Sequence, residues 1–200
     1  IAFADPDVTM VATLATPAST LTARCNIDLT AFDKTNPGTF DIRLDAQVGK
    51  ADMLRYADMP KAVAKALPNE GMTLRTCVKG NMRRTELEEL KMILPRMATL
   101  AADGYAINPA SPEKMRAKAN MKLTTGNLSF VNAMMQPSIR KKIRIPRMTL
   151  EGTLNAEGQR YGADLTLREG RGQMKLKGQI DLPTEAYAAD IDVRGLDIRH

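Results

Sequence analysis

Residues 147–198 open as Arg147-Met148-Thr149-Leu150-Glu151-Gly152-Thr153-Leu154-Asn155-Ala156 and resume, after Glu157-Gly158, as Tyr161-Gly162-Ala163-Asp164-Leu165-Thr166-Leu167-Arg168. Beyond Glu169-Gly170-Arg171-Gly172 comes Gln173-Met174-Lys175-Leu176-Lys177-Gly178-Gln179-Ile180-Asp181-Leu182, and the last run is Tyr187-Ala188-Ala189-Asp190-Ile191-Asp192-Val193-Arg194. In each run apolar residues take alternate positions, while charges, amides and hydroxyls fill most of the others. Strict alternation puts one set on one face of a β-strand and the other set on the opposite face. Joints containing Gly or Pro return at about 8–12 residues or slightly more, the interval of a β-meander. The stretch therefore reads as a repetitive antiparallel sheet with one greasy face and one wet face.

The same alternation extends upstream. Val8, Met10, Ala12 and Leu14 mark a first strand, and Leu21, Ala23, Cys25, Ile27 and Leu29 a second that ends at the turn Asp33-Lys34-Thr35-Asn36-Pro37-Gly38. Phe40, Ile42, Leu44, Ala46 and Val48 mark a third. The period then changes: Met53, Tyr56, Met59, Val63 and Leu67 are spaced for a helical face broken by Pro60, which predicts a short helix over 60–67 capped from Asp58. Such a helix in a β-repeat plugs an end or covers an edge. Alternation returns with Met72, Leu74, Thr76, Val78 and Met82. Residues 86–100 fit a helix through Leu87, Leu90 and Leu94 or strands through Leu90, Met92 and Leu94, and the neighbouring segments favour strands. Met115, Ala117, Ala119, Met121 and Leu123 form another strand, and 127–135 reads as a short helix capped by Asn127. Gly occupies the greasy phase in Val78-Lys79-Gly80-Asn81-Met82, Leu150-Glu151-Gly152-Thr153-Leu154 and Leu176-Lys177-Gly178-Gln179-Ile180. A missing side chain there leaves room for something facing it, whether a packed side chain, an opposite wall or a guest.

With 200 residues, 44% of them hydrophobic, the chain suffices for one globular domain or one long sheet. Only 4% is aromatic and Trp is absent, which argues against carbohydrate stacking and against a single-stranded nucleic-acid platform. The 13 Met supply adaptable apolar filler, or contact with variable apolar ligands. A net charge of +6 is spread along the wet faces and reads first as solubility, then as weak attraction to anionic lipid. The one basic cluster, Ile139-Arg140-Lys141-Lys142-Ile143-Arg144-Ile145-Pro146-Arg147, reads first as solvated loop and strand edge, with anionic lipid or nucleic acid as alternatives. No apolar run approaches the roughly 18–20 residues of a membrane helix. Ile1 stands where an initiator Met would, and the chain stops at Gly195-Leu196-Asp197-Ile198-Arg199-His200 as though within a strand. Residues 1–200 are read as a single β-rich, repeat-like region excised from a longer protein.

Catalytic chemistry finds little material. The single His is His200, so no His-based triad or His-rich metal site can be built. Cys25 and Cys77 form no CxxC pair and cannot ligate zinc alone. Cys25 lies in the greasy phase and Cys77 in the wet one, which favours a buried free thiol at Cys25 over a disulfide. Glu169-Gly170-Arg171-Gly172 joins two strands and does not lead into a helix, so it is no phosphate loop. A parallel β-helix enzyme would carry clustered carboxylates and aromatics, and no such cluster is seen. The expectation is a non-enzymatic protein without metal or cofactor.

On the Gly-centred strands, the Leu165-Thr166-Leu167-Arg168-Glu169-Gly170 joint and the closing Val193-Arg194-Gly195-Leu196-Asp197-Ile198, residues 72–82, 147–154, 161–182 and 187–198 resemble the AsmA-like superfamily, particularly TamB-type proteins of Gram-negative bacteria. The resemblance covers mostly residue 72 onward and is one of periodicity. It implies a mainly β fold whose long antiparallel meander curls into a U-shaped, taco-like trough with an apolar inner face, plus short helices. It further implies a periplasmic protein anchored in the inner membrane that carries phospholipid between inner and outer membranes and supports outer-membrane biogenesis. Its partners would be phospholipid acyl chains and an outer-membrane assembly protein met through other parts of the parent chain, with no nucleic acid. The lipid-facing residues expected are Met148, Leu150, Leu154, Leu165, Leu167, Met174, Leu176, Ile180, Ile191 and Val193. The competing reading places these in a closed core between two sheet halves. Two other functions stay open: a chaperone or scaffold for outer-membrane proteins acting by β-edge pairing, and a structural or adhesive β-domain with a dry interior.

Overall fold

The computed structural model of the chain describes residues 7–31, 33, 35–126 and 147–195. Eleven strands make one antiparallel sheet in strict sequence order: β1 (Asp7–Ala15), β2 (Thr20–Asp28), β3 (Phe40–Val48), β4 (Met72–Gly80), β5 (Arg84–Leu94), β6 (Ala98–Ile107), β7 (Arg116–Thr125), β8 (Thr149–Glu157), β9 (Arg160–Glu169), β10 (Gly172–Asp181) and β11 (Ala186–Arg194). The protein is mainly β, and the sheet is an unclosed meander whose edges are β1 and β11. Each strand's main contacts are with its sequence neighbours, and among the described residues all strands belong to this one sheet.

Two short helices, α1 (Lys50–Tyr56) and α2 (Lys61–Ala66), fill the connection from β3 to β4. The expected helix over 60–67 is α2, but its cap is Pro60 with no side-chain hydrogen bond, so Asp58 does not cap it. Proline suits a helix start because its missing N–H would go unpaired there anyway. The spacing of Met53 and Tyr56 belongs to a separate helix, α1, ended by the extended backbone of Ala57. Polar bonds tie α1 to the β1–β2 turn. The Asp52 carboxylate accepts hydrogen bonds from the hydroxyls of Thr16 and, at 2.5 Å, Ser19, while the Gly49 amide donates to Ser19 Oγ at 3.0 Å. The Ser19 and Thr16 bonds hold the Asp52 carboxyl below its ordinary pKa. Lys50 Nζ donates to the Leu67 carbonyl at 2.8 Å and closes the pair of helices on itself. Most of the few buried residues gather at this end of the sheet: Ala46, Met53, Leu67, Met97 and Thr125. The insertion thus sits at an end, as expected. The helix expected over 127–135, like most of the basic cluster, lies outside the described residues.

The ambiguity of residues 86–100 resolves into β5 and β6 joined by a tight turn in which Arg96 adopts φ 64°. Leu87 and Leu90 are three apart, which mimics a helical face. The cause is a β-bulge. Val78 pairs with Leu87 and Cys77 with Glu89, so Glu88 is an extra residue, and the pairing to β6 also slips between Leu87 and Leu90. One added residue changes the phase and keeps both leucines on the same face.

The glycines of the greasy phase do not all leave room. A Cβ on Gly152, at φ 155°, would fall against the Asp164 carbonyl and within 2.8 Å of Leu165 Cα. Gly80, at φ 131°, is held in the same way against Arg84 and Thr85. At these two positions the adjacent strand's backbone takes the space, not a guest. Gly178 alone of the three is open, with Ala188 O at 3.9 Å as the nearest atom. Gly152→Ala should therefore lower the stability of the folded chain by roughly 1–3 kcal/mol through backbone strain. Gly178→Ala should change it by no more than about 0.5 kcal/mol. Urea denaturation compares the two, and equal losses would rule out the close backbone approach at Gly152.

Candidate functional site

Residues paired across an antiparallel ladder share a face, so the register assigns every side chain to a side. Of the ten residues expected to face lipid, nine fall on β8–β11 and share one face. Leu150, Leu167, Met174 and Val193 are successive partners, as are Leu165, Leu176 and Ile191. Leu154 stands against Ala163, and Ile180 lies between Tyr161 and Tyr187. The tenth, Met148, precedes β8 in the same phase, and its backbone carbonyl and amide both bond the Thr125 hydroxyl.

The row through Leu150 does not stop at β8. It continues as Leu123, Leu100, Met92 and Leu74, then Ala46, Leu21 and Leu14, so that one line of aliphatic side chains crosses all eleven strands. The row through Leu165 and Leu176 runs back through Met121, Ala102 and Leu90 to Leu44, broken only by Gly152 and Thr76. Two further rows pass through Leu154 and Tyr161. In these four rows, among the described residues, no Asp, Glu, Lys, Arg or His occurs, and Thr76 and Thr85 are the only Ser or Thr. The seven upstream strands were absent from the expected site, although the alternation that reveals them is the same.

No large side chain is fully buried among the described residues. On the apolar face Leu154 is 40% exposed, Ile180 51%, Ile191 58% and Val193 55%. A closed, dry core between two sheet halves is therefore not what these residues form. Where the rows pass β6, β7 and β8 their side chains shrink to Gly104, Ala106, Ala117, Ala119 and Ala156. With Leu87, Leu154 and Tyr161 they outline a depression of about 310 Å³, near the lower end of the roughly 300–1,000 Å³ of small-ligand sites.

The opposite face is ionic. Arg75 pairs with Asp45 at 2.8 Å, Arg160 with Asp181 at 2.9 Å and Lys177 with Asp164 at 3.6 Å, while Glu151 stands between Arg168 and Lys122. Exposed pairs of this kind each contribute about 0–1 kcal/mol, so their effect is to fix which face meets water. A cleft of about 550 Å³ at the strand ends is bordered by Arg96, Arg147 and Arg168. Two of these guanidiniums are already engaged, Arg96 by Glu70 at 2.9 Å and Arg168 by Glu151.

The cysteines separate as their phases require. Cys25 pairs with Met10 and Ile42 on the apolar face, Cys77 with Arg43 on the ionic one, and both are free thiols. Cys25 is half-buried, less enclosed than expected. At the β5 bulge the Cys77 thiol donates to Glu88 Oε2 at 3.3 Å, and Lys79 Nζ lies 2.9 Å from the same oxygen. Burial and the Glu88 hydrogen bond and charge push the Cys77 thiol above its ordinary pKa. Among the described residues no group of three or more His, Cys, Asp or Glu could hold a metal, and no helix is long and apolar enough to cross a membrane.

No known family, curated protein or solved structure matches the chain. The site therefore rests on its own geometry. Because the thiolate is the reactive form, Cys77 should alkylate slowly at neutral pH, and Glu88→Gln should speed it several-fold by removing the charge that favours the thiol. Iodoacetamide labelling followed by peptide mass spectrometry reads this, and an unchanged rate would remove Glu88 as the cause.

Proposed function

We propose that the chain is a non-enzymatic, AsmA/TamB-like segment whose apolar face carries phospholipid acyl chains through the periplasm between the inner and outer membranes. The observation that carries this reading is the run of four uncharged rows across eleven strands of one unclosed sheet. Eleven strands exceed the roughly ten at which a twisted open sheet curls, and a curl that turns the apolar rows inward makes a U-shaped trough. Each methylene withdrawn from water contributes about 0.8 kcal/mol, so ten of them on the rows contribute roughly 8 kcal/mol. Apolar contact is non-directional, so an acyl chain can slide along a row without breaking specific bonds. No nucleophile, metal or cofactor takes part. An inner-membrane anchor and an outer-membrane assembly partner belong to the longer protein in this reading.

A chaperone that receives outer-membrane strands by edge pairing is the second reading, supported by the open β1 and β11 edges. A structural or adhesive β-domain would need a packed interior, and the exposed rows argue against it.

Mass spectrometry of the extract from purified protein should find phospholipid. Leu176→Asp sets a carboxylate between Leu165 and Ile191, and Ile191→Asp sets one on the exposed edge strand, where folding tolerates it. A desolvated carboxylate in contact with acyl chains costs several kcal/mol or neutralises itself by a raised pKa, so both variants should retain several-fold less lipid. Gln179→Asp adds the same charge on the ionic face between Gly162 and Ala188 and should retain as much as wild type. If folded Leu176→Asp and Ile191→Asp both keep wild-type lipid, the apolar-row mechanism is wrong.

A further inference from the structure

We propose that the cleft at the strand ends bordered by Arg96, Arg147 and Arg168 binds a phosphate group. Resting on the function proposed above, this phosphate belongs to the headgroup of the lipid whose acyl chain lies on the apolar rows. The cleft encloses about 550 Å³. Guanidinium is the side chain matched to phosphate, because its planar fork of N–H donors meets two phosphate oxygens at once. The two ion-paired arginines are only partly used. Arg96 reaches Glu70 through Nη2 alone, at 2.9 and 3.0 Å, and Arg168 reaches Glu151 through Nη1 alone. Among the described residues each keeps its Nε and its other terminal nitrogen for a further acceptor. Arg147 is exposed and pairs with no carboxylate among the described residues. Residues 127–146, which lead into it, contain neither Asp nor Glu, so they bring no carboxylate to neutralise it.

The opposite end of the same strands is built differently. There Arg160 is held by Asp181 at 2.9 Å, Arg116 stands opposite Glu157 in the register, and Lys114 follows Glu113 in the chain. Each cation at that end has an acid beside it, so it offers an anion no comparable seat. The cleft also lies where the two faces meet. Arg168 pairs with Thr149 in the ionic phase, whereas Met148 and Thr125, which line the cleft as well, belong to the apolar phase. Two residues beyond Met148 is Leu150, in the row that joins Leu14 to Val193. A phosphate held by the arginines therefore stands beside the apolar face, and an acyl chain attached to it enters the Leu150 row directly. The uncharged rows contribute affinity without direction, and the cleft fixes which strand ends carry the polar head.

Isothermal titration calorimetry of the 200-residue chain with monododecyl phosphate, dodecyl maltoside and inorganic phosphate tests this, the two amphiphiles below their micelle concentrations. Monododecyl phosphate should bind about tenfold tighter than either of the others. Arg147→Gln, at an exposed position outside the strands, should weaken it about tenfold, equivalent to 1.4 kcal/mol. Adding Arg96→Gln should weaken it further, while dodecyl maltoside binds both variants as it binds wild type. Lys114→Gln removes the same charge at the opposite end and should leave all three affinities unchanged. Equal affinity for the two amphiphiles, or monododecyl phosphate binding indifferent to Arg147→Gln and to the double variant, overturns the phosphate site and leaves the apolar face standing. Inorganic phosphate bound as tightly as monododecyl phosphate overturns the headgroup assignment in favour of free phosphate. Failure of both amphiphiles to bind overturns the acyl-chain reading itself.

Discussion

The structure depends on the unequal hydration of two faces of one sheet. Backbone hydrogen bonds hold each strand to its neighbours, but those bonds are the same whichever way a strand is turned. What fixes the turn is that Leu150, Leu167 and Met174 share one face, where they are half-buried, while Arg168 and Lys175 stand exposed on the other. A slip of one residue in any strand would exchange the two sets. The ion pairs of the wet face, each contributing little, gain their importance here: they make the wrong register costly. The β5 bulge serves the same constraint, because without Glu88 as an extra residue Leu87 and Leu90 would part to opposite faces.

A meander whose contacts lie chiefly between successive strands is quasi-one-dimensional. Its stability is a sum over neighbour pairs, as in solenoid proteins. Among the described residues no central cluster of buried side chains secures the whole, and the buried residues sit chiefly where α1 and α2 close one end. Tertiary support is therefore uneven, strongest near the β3–β4 connection and weakest at β1 and β11, where every residue is exposed.

Most of this was legible in the sequence, because period-two alternation needs no tertiary context to interpret. Strands β8–β11 and the partition of Cys25 from Cys77 follow from phase alone. What escaped depends on contacts between segments. The bulge changes phase in mid-strand, so Leu87 and Leu90 look helical. Gly80 and Gly152 look like Gly178 in sequence, yet only the adjacent backbone, Arg84 in one case and Asp164 in the other, distinguishes them. Asp58 looked like a cap because its distance from Pro60 fits one, but Pro60 itself starts the helix. Period-two alternation within 147–198 gives the candidate residues there but not their continuation, whereas the register joins Leu14 to Val193 through every strand between.

Under the proposed function, the same geometry separates stability from passage along the face. In a sheet whose contacts are local, a substitution at Leu176 disturbs chiefly β9, β10 and β11, and the remaining strands keep their own neighbours. The stability cost is confined. Continuity, by contrast, belongs to the row as a whole, and one charge anywhere along it divides the uncharged path in two. Selection for a packed core would tolerate Ala, Val or Met at such positions according to volume. Selection for an uninterrupted face would tolerate any of them and even Gly, but not Asp or Lys. Among the described residues the rows contain Gly178, whose position has room for a side chain, many alanines and no charge. That composition supports the proposed reading, in which continuity and not packing volume is the constraint.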